Sequence, residues 1–399
     1  MPDAADGVPS HPSGSSPASS GKSALRGALL QELHDIEPLE NQWDDLAVAT
    51  KNPYCSPVWM LSWWRHCAPP GALLRVVVVL QGERLIGVAP FFAHRGSFGV
   101  VTYRLLASGN SFGLQPLALA GNELGVATLV ADVLASSDPA PDIVAFEGLP
   151  ADSGWSQLLR DTWPGASQPR LNRGLSLQAP ALDMGRGTYD QWLMSKSSHF
   201  RKHMKQARRR LGARGGVFTL ARTPEEVERA LTSFARLHYA RWDPKGGSNA
   251  LTPSVEAMLR DAARKLTEDR FRLWSIEVDD HIISTQVFLA AGGEVAYWNG
   301  GFDEGSAADR PGIVSLLAAI EHAWEVGDLR FDFGAGPQDY KYRFANDGET
   351  LEWLTLVPMG PRYLLARLAL IPSRLRLEVS RRLSQPAKRR LKQLSRWRR

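Results

Sequence analysis

Between Phe271 and Phe333 the order of elements leaves the chain little freedom. FRLWSIEV, a DDH turn, Ile282 to Ala291, a GG turn and EVAYWNGGF follow one another without a break. Three β-rich runs joined by turns this short read as a meander. A loop, DEGSAADRPG, leads into the helix Ile313 to Val326, and Gly327 stops it at a C′-like position. A further strand follows, Leu329 to Phe333. The helix body, IVSLLAAIEHAWEV, is almost wholly apolar and has to be buried against the sheet. The result is an α+β fold: strands in a mixed sheet, flanked by helices. A fainter version of the same order lies upstream. Leu73 to Leu80, a QGER turn and Leu85 to Phe92 form a hairpin, followed by a helix over Glu123 to Ser136 and a strand over Asp142 to Glu147.

With 399 residues the chain is long enough for about two domains. The expected division is a disordered Ser/Pro/Gly/Ala-rich segment (1–24), an N-terminal domain (25–174), a C-terminal domain (175–360) and a basic amphipathic tail (361–399). Thr223 and Thr252 cap helices that open on Pro224 and Pro253. The net charge of +5 conceals an asymmetry. The tail holds thirteen basic residues and one acid, a net of +12; the remaining 34 basic and 41 acidic residues give −7. The two cysteines, Cys55 and Cys67, make no framework, and no Cys/His cluster or HExxH pattern points to a metal. No apolar run reaches the ~20 residues that span a bilayer. No basic start followed by an apolar stretch marks a signal peptide, so a cytoplasmic protein is expected.

The densest chemistry lies in FDFGAGPQDYKYRF, from Phe331 to Phe344. Asp332 should face away from Phe331 and Phe333 on a strand. A Gly-rich break with Gly334 and Gly336 lets backbone approach a ligand. Asp332 is a candidate general base or amine-orienting group, Tyr340 a proton donor and Lys341 an anion contact. The competing reading is a structural turn with an Asp–Lys pair. Just upstream, the helix start at Pro311 and Gly312 presents free N–H groups and a positive dipole end to an anion, with Arg310 beside it.

Taken together, these segments resemble the CelD-type acetyltransferases, bacterial relatives of the GNAT acyltransferases named for an association with cellulose or exopolysaccharide synthesis. The residues that carry the resemblance are Pro311, Gly312, Gly327, Asp332, Phe333, Gly334, Gly336, Tyr340, Lys341 and Phe344. Ser197, Phe200, Arg201 and Lys202 of SSHFRK add to it. The acid after the second glycine is displaced to Asp339, and AADRPGI stands where GNAT enzymes carry RxxGxG/A. The resemblance implies two GNAT-like domains and an acyl-CoA (acetyl-CoA) donor bound near Arg310, Pro311, Gly312, Gly334 and Gly336. It also implies an amine or hydroxyl acceptor on a small molecule, lipid or sugar, with no metal. More distantly, the chain is similar to FemAB peptidyl transferases, which take an aminoacyl group from tRNA. A non-catalytic, membrane-associated adaptor is the third reading.

Gln191 to Pro224 contains no acid. On a helix, Arg201, Lys205, Arg208 and Arg209 would share a face. Such a stripe calls for a counter-anion (a cofactor phosphate, a nucleotide- or lipid-linked acceptor, or nucleic acid) or for neutralisation by acids of the body. With Lys202 it forms one candidate substrate surface. Arg241 and Trp242, a cation beside an aromatic, form another for a sugar or acyl group. The Leu/Arg-patterned tail reads as a peripheral anchor to an anionic membrane surface on the inner face, ahead of nucleic-acid contact.

Overall fold

The computed structural model describes residues 24–371, apart from 186, 268 and 337. Residues 1–23, expected to be disordered, and most of the basic tail lie outside them. The first half comprises β1 (Leu25–Leu30), α1 (Leu33–Ile36), α2 (Glu40–Ala49), α3 (Pro57–Cys67), β2 (Leu73–Gln81), β3 (Arg84–Arg95), β4 (Val101–Leu105), β5 (Leu117–Ala118), α4 (Glu123–Ser136), β6 (Ile143–Pro150) and α5 (Trp155–Asp161). The second opens with β7 (Arg170–Asp183), α6 (Tyr189–Ser195), α7 (Ser198–Ala213), β8 (Val217–Leu220), α8 (Pro224–Trp242) and α9 (Pro253–Lys265). The meander follows as β9 (Phe271–Val278), β10 (His281–Ala291) and β11 (Glu294–Phe302). Then come α10 (Pro311–Glu325), β12 (Arg330–Asp332), α11 (Asp339–Phe344), β13 (Asp347–Val357) and α12 (Tyr363–Ala369).

The strands form one continuous sheet in the order β1-β2-β3-β4-β6-β13-β7-β12-β11-β10-β9-β8, with β5 attached to β3. Two junctions in it are parallel, β4 with β6 and β11 with β12. Each is bridged by a buried helix, α4 or α10, as a crossover between parallel strands requires. The centre of the sheet is woven from both halves. β7 pairs with β12, β13 pairs with β6, and β7 and β13 pair with each other along Arg170–Ala181 of β7. The expected boundary at 174/175 falls inside β7, so the strand is shared rather than a linker.

The meander, both threonine caps and the α4 helix are where the sequence places them. β7 and α11 are not foreseen. β7 carries Gly174 and Pro180, which read as strand breakers. Pro180 lies opposite Gly348 of β13 where β12 ends, and its carbonyl accepts from the Phe333 N–H at 3.1 Å. α11 is a single short turn of helix after the Gly-rich break, with too few residues to show a period. Among the described residues no helix is long and apolar enough to cross a membrane.

Candidate active site

β12 is three residues long, and its alternation sets the site. Phe331 and Phe333 are fully buried with Leu317 and Ile320 of α10, in a cluster that Val295 of β11 joins. Arg330 and Asp332 therefore face the opposite side of the sheet, as do Glu294 and Ala296 of β11. The parallel register sets Glu294 beside Arg330 and Ala296 beside Asp332. On this side the two halves enclose a cavity of about 320 Å³. Glu294, Arg330, Asp332 and Glu349 come from one half; Tyr54 and Asp152 come from the other.

The cavity is acidic and its carboxyl groups are perturbed. Glu294 is 8% exposed and accepts a hydrogen bond from Arg330 Nη1 at 2.5 Å. Burial nevertheless pushes its pKa up to about 8; Arg330 opposes the rise and Asp332 adds to it. Burial also pushes Glu349 up to about 6. Asp332 is raised by burial, and Arg330, the Gly334 N–H (2.8 Å) and Lys341 pull the other way. A carboxyl group with a pKa near neutrality is what a base for an ammonium acceptor needs.

The other face is basic. A cavity of about 530 Å³ lies between α7, α10 and α11, lined by Lys196, His199, His203, Arg310, Tyr340 and Arg343 among others. Arg310 caps α10 in the left-handed region (φ 52°), and no side-chain hydrogen bond caps the helix start. Pro311 has no N–H to satisfy, and Gly312 lets the turn sit against Phe302, where a Cβ would come within 3.1 Å of the ring. A helix start with an arginine and two histidines before it suits an anionic phosphate. Tyr340 is half-buried. Its hydroxyl is hydrogen-bonded to Tyr297, and burial raises its pKa.

The sheet is open between the two cavities. β11 pairs with β12 only through Glu294–Ala296, then continues to Phe302 with no strand on that side among the described residues. A bulge in β11, where Val287 pairs with Asn299 and Phe288 with Tyr297, lies in the splay. Gly334 (φ 70°) turns the chain past the Tyr297 carbonyl, and Gly336 (φ 130°) follows. Both conformations favour glycine.

The expected triad is thus divided. Asp332 faces the acidic cavity and Tyr340 the basic one. Lys341, 5% exposed, lies beneath the break and donates to the carbonyls of Gly334 and Ala335, each at 2.9 Å. Burial lowers its pKa to about 8, against the pull of Asp332. Its ammonium fastens the loop. Of the residues expected to hold the donor, Arg310 lines the basic cavity, Pro311 and Gly312 open α10 next to it, Gly334 passes the Tyr297 carbonyl at the splay, and Gly336 lies against Gln338. Arg201 closes the α6–α7 corner on the carbonyls of Met194 and Lys196. Lys202 and Lys205 are exposed on the outside of α7, while Arg208 pairs with Glu321 at 2.9 Å and Arg210 with Asp309 at 3.2 Å. Acids of the body thus neutralise part of the stripe. Arg241 lies over the Phe302 ring (4.5 Å to its centroid) and against Trp242 (5.5 Å); neither residue lines either cavity.

Sequence reasoning passed over Glu294, Arg330, Glu349, Tyr54 and Tyr297. The signal for Arg330 was present, since LRFDF alternates charged and aromatic residues. Glu294 looks like a turn residue after GG until the register sets it against Arg330. Tyr54 and Glu349 reach the cavity only through packing of the halves. Among the described residues no group of three or more His, Cys, Asp or Glu could hold a metal ion.

Residues 198–342 match the family model for an acetyltransferase (GNAT) domain. No curated protein matches the sequence. Among solved structures, FemX superposes with a TM-score of 0.59 at 12% identity, over 85% of this chain and 99% of FemX. A C-terminal domain (DUF2156) from Agrobacterium fabrum, named for lysylphosphatidylglycerol synthetase, gives 0.52 at 10% identity over 84% and 96%. A conserved protein from Bacteroides thetaiotaomicron gives 0.51 at 9% over 83% and 99%. At such identities the likeness concerns fold. Residues 198–342 are thus similar to a GNAT-type acetyltransferase domain, and the chain as a whole is similar in fold to FemX.

Proposed function

We propose that this protein transfers an acyl group from acyl-CoA to an amine across the splay between β11 and β12. One observation carries the reading. A basic cavity at a bare helix start and an acidic cavity with carboxyl groups near neutrality lie on opposite faces of the sheet, at the place where it opens. The CoA phosphates would lie near Arg310 and the α10 start, with the thioester in the splay. The amine would enter from the acidic side. Glu294, aided by Asp332, takes a proton from the incoming ammonium. The amine nitrogen attacks the thioester carbonyl, edge N–H groups of β11 stabilise the oxyanion, the C–S bond breaks, Tyr340 protonates the departing thiolate, and the second proton shed by the nitrogen as the amide forms restores the phenol. The resemblance to CelD-type enzymes supports an acceptor connected with the envelope or with polysaccharide.

A second reading, an aminoacyl donor, is favoured by the FemX-like fold and by the exposed cations Lys202 and Lys205. Two measurements decide. Acetyl-CoA at about 100 times its Kd should stabilise the protein by ~2.7 kcal/mol in thermal unfolding. Mass spectrometry with acetyl-CoA and a panel of primary amines should show the acetylated amine. No shift and no product with acetyl-CoA, against a shift with aminoacyl-tRNA, would overturn the first reading in favour of the second.

A further inference from the structure

The N-terminal half has no role in the scheme above except as a wall, yet it places polar groups in the acidic cavity. Tyr54 is 6% exposed, lines the cavity and makes no hydrogen bond among the described residues. Its hydroxyl is close enough to Asp332 and Glu294 for both carboxylates to oppose its ionisation. A tyrosine this deeply buried whose hydroxyl meets no protein partner offers it to the cavity, where a ligand or water can satisfy it. Ser153, beside Asp152 on the same wall, also has a buried hydroxyl without a partner.

Charge narrows the class of ligand. The side chains lining the cavity include four carboxyl groups, Asp152, Glu294, Asp332 and Glu349, against two cationic groups, Lys51 and Arg330. Fully ionised, a state that a bound cation favours by offsetting the burial that raises these carboxyl groups, the lining is short of two positive charges. A monoamine supplies one. Asp152 raises the pKa of Glu349, so the excess of negative charge extends across the cavity to the N-terminal wall.

We infer that the acceptor is a dication, a compound with two amino groups, and that the N-terminal half selects it through Tyr54, Asp152 and Ser153. One amino group is acylated at the splay beside Glu294 and Asp332. The second stays protonated against Asp152 and Glu349, with the Tyr54 hydroxyl between the two ends. This rests on the proposed amine acylation for its chemistry, but its binding component can be tested separately.

The probes are 1,4-diaminobutane and n-butylamine, which share a chain length and differ in one charge. Isothermal calorimetry on the full chain, without donor, should show the diamine binding at least tenfold more tightly. In Asp152→Asn the gap should shrink several-fold, and in Tyr54→Phe, which keeps the ring packed, affinity for the diamine should drop. With acetyl-CoA present, the same gap should appear in KM and mono-acetyl diamine should be the product. Equal binding of the two amines, or a gap unchanged in both variants, would overturn the inference whether or not transfer occurs. Preferential diamine binding without acetylation of either amine would uphold the inference about recognition and count against the proposed reaction.

Discussion

The two parallel junctions of the sheet share one architecture and differ in chemistry. At β4 and β6 the register sets Thr102 beside Ile143 and Arg104 beside Ala145. At β11 and β12 the corresponding face carries Glu294 beside Arg330 and Ala296 beside Asp332. The first junction borders a cavity of about 380 Å³, largely apolar, with Leu370 just after α12 on its wall; its Arg104 is paired with Glu147 at 3.4 Å. The crossover helices differ in the same sense. α4 begins with Glu123, an acid at the positive end of the dipole that would repel a phosphate, whereas α10 begins beside Arg310. Repeating a fold has therefore not repeated its site. One half is equipped for transfer, and the other offers a wall.

The contrast is most exposed to Glu294→Gln. We expect kcat/KM to fall about 10²–10⁴-fold, with loss of the limb of the pH profile that rises toward about 8, the pKa to which Glu294 is pushed. Arg104→Gln, at the matching place in the other half, should leave the rate within about twofold. The same group has a stability signature. Its folded pKa lies above the ordinary 4.5, so between 4.5 and about 8 the native state holds a proton that the unfolded chain has released. Stability therefore falls as pH rises through that window, and Glu294→Gln should flatten the fall in urea titrations.

Tyr340→Phe sharpens the division between faces. The turnover rate should drop about 10–100-fold while amine binding, measured by calorimetry, holds, because the phenol lies on the donor side. Arg310→Ala should raise the KM for acetyl-CoA about tenfold with little change in kcat, as expected for an interaction made equally in ground and transition states. Glu123→Ala, at the start of α4, should leave that KM unchanged. The smallest effect is on stability. Lys341→Met should cost about 2–3 kcal/mol in denaturant unfolding by leaving the Gly334 and Ala335 carbonyls without their donor. Loss of activity without loss of stability would instead return Lys341 to the role of anion contact.

The α+β class, the meander, the apolar α10 and the Gly-rich break were legible in the residues because each is a local matter of period, cap or turn. So was the direction of Asp332, which alternation alone fixes against Phe331 and Phe333. The separation of Asp332, Tyr340 and Lys341 was not. Ten residues of sequence hold all three, but a strand end puts them on two faces and beneath a loop. Nor could the carboxylates of Glu294 and Glu349, or the Tyr54 hydroxyl, be assigned to the site. They meet because β7 and β13 tie the halves into one sheet, and their raised pKa values come from burial that exists only once the halves close. Local order along the chain was decided by short-range sterics and hydrophobic period; the acidic cavity, made of long-range contacts and desolvation, was decided by the tertiary structure.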